Sequence, residues 1–135
     1  MIKQLWINLP AKDIQASKVF FTKIGFEPNP HHDPGPDGAS FFVGTNKMVL
    51  MLFQESTFSH VIQHPIANTA LSSEVLLSFD AESREEVDEM AQLVKNAGGN
   101  VFAPPTVIQG WMYGCAFTDL DGHRWNSLYM DMSKQ

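Results

Sequence analysis

Few residues in this chain stand in the patterns that side-chain chemistry requires. His60 and His64 have the i, i+4 spacing that places two imidazoles on one helix face, as in zinc peptidases. No Glu follows His60, however, and Pro65 disrupts such a helix. His31 and His32 are adjacent but lie in "HHDPGPDG", a Pro/Gly-punctuated loop without further clustered ligands, so a solvated loop is the better reading. The single cysteine, Cys115, alternates with Tyr113 and Phe117 and has no basic neighbour to lower its pKa, which reads as a buried, inert thiol. No Ser, His and acid arrangement stands in a recognisable context. The glycines of "NAGGN" follow a helix, whereas phosphate-binding glycines precede one. The acidic run Glu82 to Glu89 occupies the first turns of a helix, where negative charge is favoured, and reads as a solvated face. What remains is "DLDGHRWNSLYM", residues 119–130, a polar turn entering a strand that carries a carboxamide, Asn126. His123 follows the turn glycine, where its ring can pack over and hydrogen-bond to a hairpin.

The elements that position these residues come in two similar runs. "IKQLWINL" alternates as a strand, and Pro10 ends its apolar stretch. In "DIQASKVFFTKIGF", Ile14, Val19, Phe20 and Ile24 fall near helical spacing, with Ser17 and Lys18 outside, Asp13 as N-cap and Gly25 as C-cap. A short strand at Phe26 to Pro28, the loop, and two strands of "ASFFVGTNKMVLMLF" reversing around Gly44 to Lys47 complete βαβββ. The order returns near residue 73. "SEVLLSF" is a strand, and a helix follows with the stripe Val87, Met90, Ala91, Val94 and Ala97, a Ser83/Glu86 capping box, and Gly98 and Gly99 as its stop. Then come a short strand at Asn100 to Phe102, a Pro-Pro loop, and a hairpin around Asp121-Gly122. "LPAKD" aligns over "FDAES" at the equivalent strand-to-helix turns. The expected organisation is one domain over 1–135: module one about 1–55, a polar linker about 56–72 that is either a lid or a strap, and module two about 73–131.

Bulk properties narrow the function classes. The 135 residues, 44% of them hydrophobic, suffice for one core. The net charge of −6, with nine scattered basic residues, argues against a nucleic-acid groove. No segment approaches the roughly 20 apolar residues needed to span a bilayer, and nothing resembles a signal peptide. One cysteine excludes an internal disulfide, so the expectation is a soluble, cytoplasmic protein.

Two βαβββ modules, "LPAKDIQASKVFFTKIGF" entering the first helix and "FTDLDGHRWN" entering the last strand, resemble the vicinal oxygen chelate superfamily of glyoxalase I, extradiol dioxygenases, fosfomycin-resistance enzymes and bleomycin-resistance proteins. The resemblance implies an α+β fold of two curled mixed sheets, each with a concave face, often completed in a homodimer. In metal-dependent members it implies a divalent ion held by strands of both modules. Counting from the motifs, the four ligand positions fall on Trp6, Met51, Glu74 and Asn126, where the family commonly has His, Glu, His or Gln, and Glu. An indole nitrogen only donates, a thioether suits soft ions, and an amide oxygen is a weak neutral ligand. Asn8, on the strand face of Trp6, adds only another amide. Such a set carries one negative charge, where catalytic divalent ions usually have three or more imidazole or carboxylate ligands.

The expectation is therefore a metal-independent small-molecule binding protein of the glyoxalase/bleomycin-resistance group, without cofactor. It would hold a small apolar or aromatic compound against Trp6, Asn8, Met51, Phe53, Glu74, Met112 and Asn126. An alternative is a metal-dependent lyase, isomerase or dioxygenase of the superfamily using Zn, Ni, Mn or Fe, with Glu74 as metal ligand or catalytic general base. A third is a dimerising domain whose cavity Trp6 and the Met side chains fill.

Overall fold

The computed structural model describes residues 1–134. The chain divides into two compact units, Met1–Asn68 and the part from Thr69 onward.

The first unit contains β1 (Ile7–Ala11), α1 (Ile14–Lys23), β2 (Glu27–Pro28), β3 (Gly38–Val43), β4 (Met48–Gln54) and α2 (Glu55–Ile62). Its sheet has the order β1-β4-β3-β2, with β1 parallel to β4 and the other pairs antiparallel. Asp13 caps α1 by accepting from the Ala16 N–H, and Gly25, at φ +105, takes the left-handed position just past its end. The core is aromatic. Phe21 stacks on Phe26 at 5.2 Å and tilts against Phe41 at 5.9 Å, over Leu50 and Leu52 of β4. Each such ring contributes roughly 1.5–3 kcal/mol by burial.

Three expectations for this unit are corrected. The first strand begins at Ile7 rather than Ile2 and runs through Pro10. An edge strand bonded on one side only can hold a proline whose missing N–H would face outward. On α1 the buried side chains are Ile14, Ser17, Phe20 and Phe21, while Val19 is 53% exposed. Steps of three and four from Ile14 reach Ser17 and Phe21, whereas five residues at 100° each turn Val19 well away from the sheet. No element of its own is expected in the linker, about 56–72, whereas Glu55–Ile62 is helical. Gln54 gives that helix no side-chain cap, so the usual start signal is missing.

The second unit repeats the plan with β5 (Leu76–Asp80), α3 (Arg84–Asn96), β6 (Asn100–Ile108), β7 (Met112–Thr118) and β8 (Arg124–Met130), in the order β5-β8-β7-β6. The Ser83 hydroxyl accepts from the Glu86 N–H, and Glu86 Oε2 accepts from the N–H of Glu82, one residue before the cap. Val87, Ala91 and Val94 are the buried stripe of α3. Val87 and Ala91 pack with Cys115, and two residues further along β7 Phe117 stacks on Trp125 at 6.5 Å. The Pro104-Pro105 stretch is a strand, not the expected loop. β6 is an edge strand paired only to β7, and its register shifts on both sides of Ala103, which absorbs the two missing donors. No described helix is long and apolar enough to cross a membrane.

Candidate functional site

β-Strand alternation separates each sheet into two faces. In the first unit Leu50 and Leu52 turn into the aromatic core beside α1, so Met51 and Phe53 turn the other way. Asn8 is the register partner of Met51 across the parallel β1·β4 pair, which brings these two expected residues side by side. Over this face lies α2. Phe58, Val61 and Ile62, at i, i+3, i+4 spacing, join Asn8 and Phe53 around a cavity of about 250 Å³. Four of these five side chains are apolar and one is a carboxamide. No residue of α2 is buried, and Val61 is 68% exposed. The helix therefore leaves its apolar stripe available to a ligand.

Trp6 precedes β1 and is 51% exposed. It neither lines this cavity nor fills it. The three α2 residues were missed from sequence although their spacing is a helical stripe, because the segment around them is polar and uncapped.

In the second unit Trp125 and Ser127 are buried on the core face, so Asn126 lies on the opposite face of β8, in register with Ser78 of β5 and Ala116 of β7. Its Oδ1 is shielded from solvent and has no hydrogen-bond partner among the described residues. Met112 opens β7 in register with Met130, on the same alternation as Ala116. Glu74 lies two residues ahead of β5 and is exposed.

As ligands for a catalytic divalent ion, the residues at the expected positions do not fit. Trp6 cannot coordinate, Met51 offers a thioether, Glu74 is the one carboxylate, and Asn126 presents a neutral oxygen. Among the described residues, Asp119, Asp121 and His123 form a cluster with ligand atoms within 4.8 Å of one another. Hydrogen bonding explains that cluster. Asp119 Oδ1 accepts from the Asp121 and His123 N–H groups at 3.0 Å each, and Oδ2 accepts from Trp125 Nε1 at 3.0 Å. The carboxylate ties the turn to the core indole. Burial pushes its acidity weaker than an ordinary Asp, opposed by the nearby His123 and these donors. Thr69 Oγ1 closes the turn by donating to the Asp121 carbonyl at 2.6 Å.

The other candidates fall away individually. His60 lies within α2 and His64 beyond its end, and both are exposed. Cys115 is buried, and desolvation raises its thiol pKa, which leaves it mostly un-ionised.

The glyoxalase/bleomycin resistance protein/dioxygenase superfamily model matches residues 3–126. The chain belongs to this superfamily. Among solved structures it is similar to a hypothetical protein from S. aureus, with 35% identity over 96% of this chain and 94% of that one, and a TM-score of 0.84. A glyoxalase-related enzyme from Fulvimarina pelagi shares 19% identity over 95% and 88%, with a TM-score of 0.79. The fosfomycin resistance protein FosX from Listeria monocytogenes shares 20% over 99% and 98%, with a TM-score of 0.68. The latter two are similarities of fold. Comparison with curated proteins gives no match. Superfamily membership accounts for the repeated βαβββ order, whereas the side chains on the two sheets remain this chain's own.

Proposed function

We propose that this superfamily member is a small-molecule binding protein that works without the family's metal site, taking a small apolar or aromatic compound. The observation that carries this reading is the α2 cavity, in which four apolar side chains surround one amide, Asn8. A few placed polar groups in an apolar lining are the common composition of small-molecule sites. A volume of about 250 Å³ suits one or two fused rings, since apolar cavities of about 150 Å³ already bind benzene. The unpartnered Oδ1 of Asn126 further supports a binding role for the sheet face of the second unit, because an orphaned acceptor costs stability for no structural return.

The test is thermal unfolding with indole as probe, in excess EDTA. The expected result is a dose-dependent rise in melting temperature that Val61→Asp abolishes. Stoichiometric Mn, Ni, Zn or Fe in protein purified without an affinity tag, and lost in Glu74→Ala, would overturn the reading in favour of a metalloenzyme.

The same reading includes pairing with a second copy. β1 and β5 are edge strands, and Leu5, Trp6, Val75 and Leu76 beside or within them are exposed apolar side chains. Light scattering should give the mass of a homodimer, and a monomer at micromolar concentration would refute this part.

A further inference from the structure

A second cavity, of about 320 Å³, opens on the other face of the first sheet, beside α1 where β2 ends and the chain peels into the Pro/Gly loop. Its polar lining comprises Lys18 and Thr22 of α1, Asn29 and Ser40 where the strands part, and His32 and Asp33 of the loop. The contrast with the α2 cavity is chemical, since here Lys18, Thr22, His32 and Asp33 supply charged and polar groups.

Lys18 and Thr22 are four residues apart and share one edge of the helix. Lys18 is half-buried and forms no ion pair among the described residues. An ammonium partly removed from water with no described carboxylate at ion-pair distance gains from an anion that docks against it, and Asp33 in the same lining favours one that also carries hydroxyl donors. The surroundings are held in place. Asn29 Nδ2 donates to Ser40 Oγ at 3.2 Å, and Asn29 Oδ1 accepts from the His31 N–H at 2.9 Å. Asp33 Oδ1 accepts from the Gly35 N–H at 2.9 Å, leaving its other oxygen as an acceptor.

We propose that this cavity is a second ligand site, for a small anion that also bears hydroxyl groups. The acid group sits on Lys18 and Thr22, and a ligand hydroxyl donates to Asp33. The volume equals the share of roughly ten waters, enough for a three- or four-carbon carboxylate or phosphate ester.

The experiment is a titration of the full-length protein, followed by backbone amide NMR, with glycerol 3-phosphate, glycerate and inorganic phosphate as separate probes. The expected result is saturable shifts at Lys18, Thr22, Asn29 and Ser40 with glycerol 3-phosphate or glycerate, while amides of residues 55–62 stay in place. The tighter of the two identifies the acid group. Lys18→Met and Thr22→Val should each weaken binding about tenfold or more, the loss of one charge-assisted hydrogen bond, with unchanged melting curves. No saturable shift with either organic anion overturns the proposal, as do shifts that Lys18→Met leaves intact. Inorganic phosphate binding as tightly as glycerol 3-phosphate would overturn the role given to Asp33.

Discussion

Replacing Asp119 separates two readings of the Asp119, Asp121 and His123 cluster, as a metal centre or as a knot that ties a turn to the core. Three N–H groups converge on this one carboxylate, each at 3.0 Å. Hydrogen bonds to a charged acceptor contribute about 1.5–3 kcal/mol each, so three amount to roughly 5 kcal/mol before the cost of burying the charge. The raised pKa shows that this burial cost outweighs the gain specific to the charge, so the loss on truncation comes from leaving the three N–H groups unpaired, about 1 kcal/mol each or about 3 kcal/mol together. Asp119→Ala should therefore lower stability by about 3 kcal/mol and the melting temperature by about 10 °C for a chain of this length. Asp119→Asn, which keeps one acceptor oxygen but turns an amide donor towards the N–H groups, should cost about 2 kcal/mol. Urea denaturation followed by circular dichroism in excess EDTA measures both. The pH dependence follows from the direction of the shift. Burial raises the native-state pKa above its unfolded value, so the unfolded chain gives up this proton first as pH rises. The contribution of Asp119 to stability thus falls as pH climbs from the ordinary Asp range to the raised native value, and Asp119→Asn should remove that slope. A loss below 1 kcal/mol in EDTA, or destabilisation that appears only when metal is present, would refute the structural role.

Asn126→Glu should bring no tight divalent-metal binding by calorimetry with Mn²⁺ or Zn²⁺, because Trp6 and Met51 still supply no hard ligand; submicromolar affinity would contradict this. Val61→Asp should abolish indole binding while changing stability by less than about 0.5 kcal/mol, since the side chain is 68% exposed. Gly114→Ala should destabilise by about 2 kcal/mol in urea, because its Cβ would stand 2.5 Å from Leu128 Cδ2 and 2.8 Å from the Ser127 carbonyl, which belongs to backbone and cannot swing aside.

The elements most legible in the sequence were those with local physical signals. Asp13 and Ser83 announced two helices by capping chemistry, and the turns at Gly44–Lys47 and Asp121–Gly122 announced two hairpins. The misreadings came where tertiary pairing overrode local preference. Pro10 and Pro104-Pro105 are tolerated because β1 and β6 are edges, a fact that only sheet order reveals. Of the expected site residues, Asn8 and Phe53 line a cavity and Met51 lies in register with Asn8. The α2 side chains that complete this cavity were obscured because Phe58, Val61 and Ile62 sit in a polar, uncapped segment whose helix is stabilised by packing on β1 and β4.

The period of a strand explains why fold and chemistry were unequally legible. In β8, Trp125 and Ser127 face the core, and Trp125 is tied to Asp119; Asn126 between them faces the other way. In β4, Leu50 and Leu52 fill the core while Met51 turns from it. Changing a residue on the outward alternation leaves every core contact of its neighbours in place, so the ligating side chains of such a fold can be exchanged without cost to its packing. The motifs that reveal the superfamily are written in caps, turns and core-facing positions, under strong constraint from folding. In the proposed function, what the protein binds is written in the residues between them, Asn8, Met51, Phe53 and Asn126, and in a helix laid over one sheet. Inheriting this fold therefore carries little information about inherited chemistry.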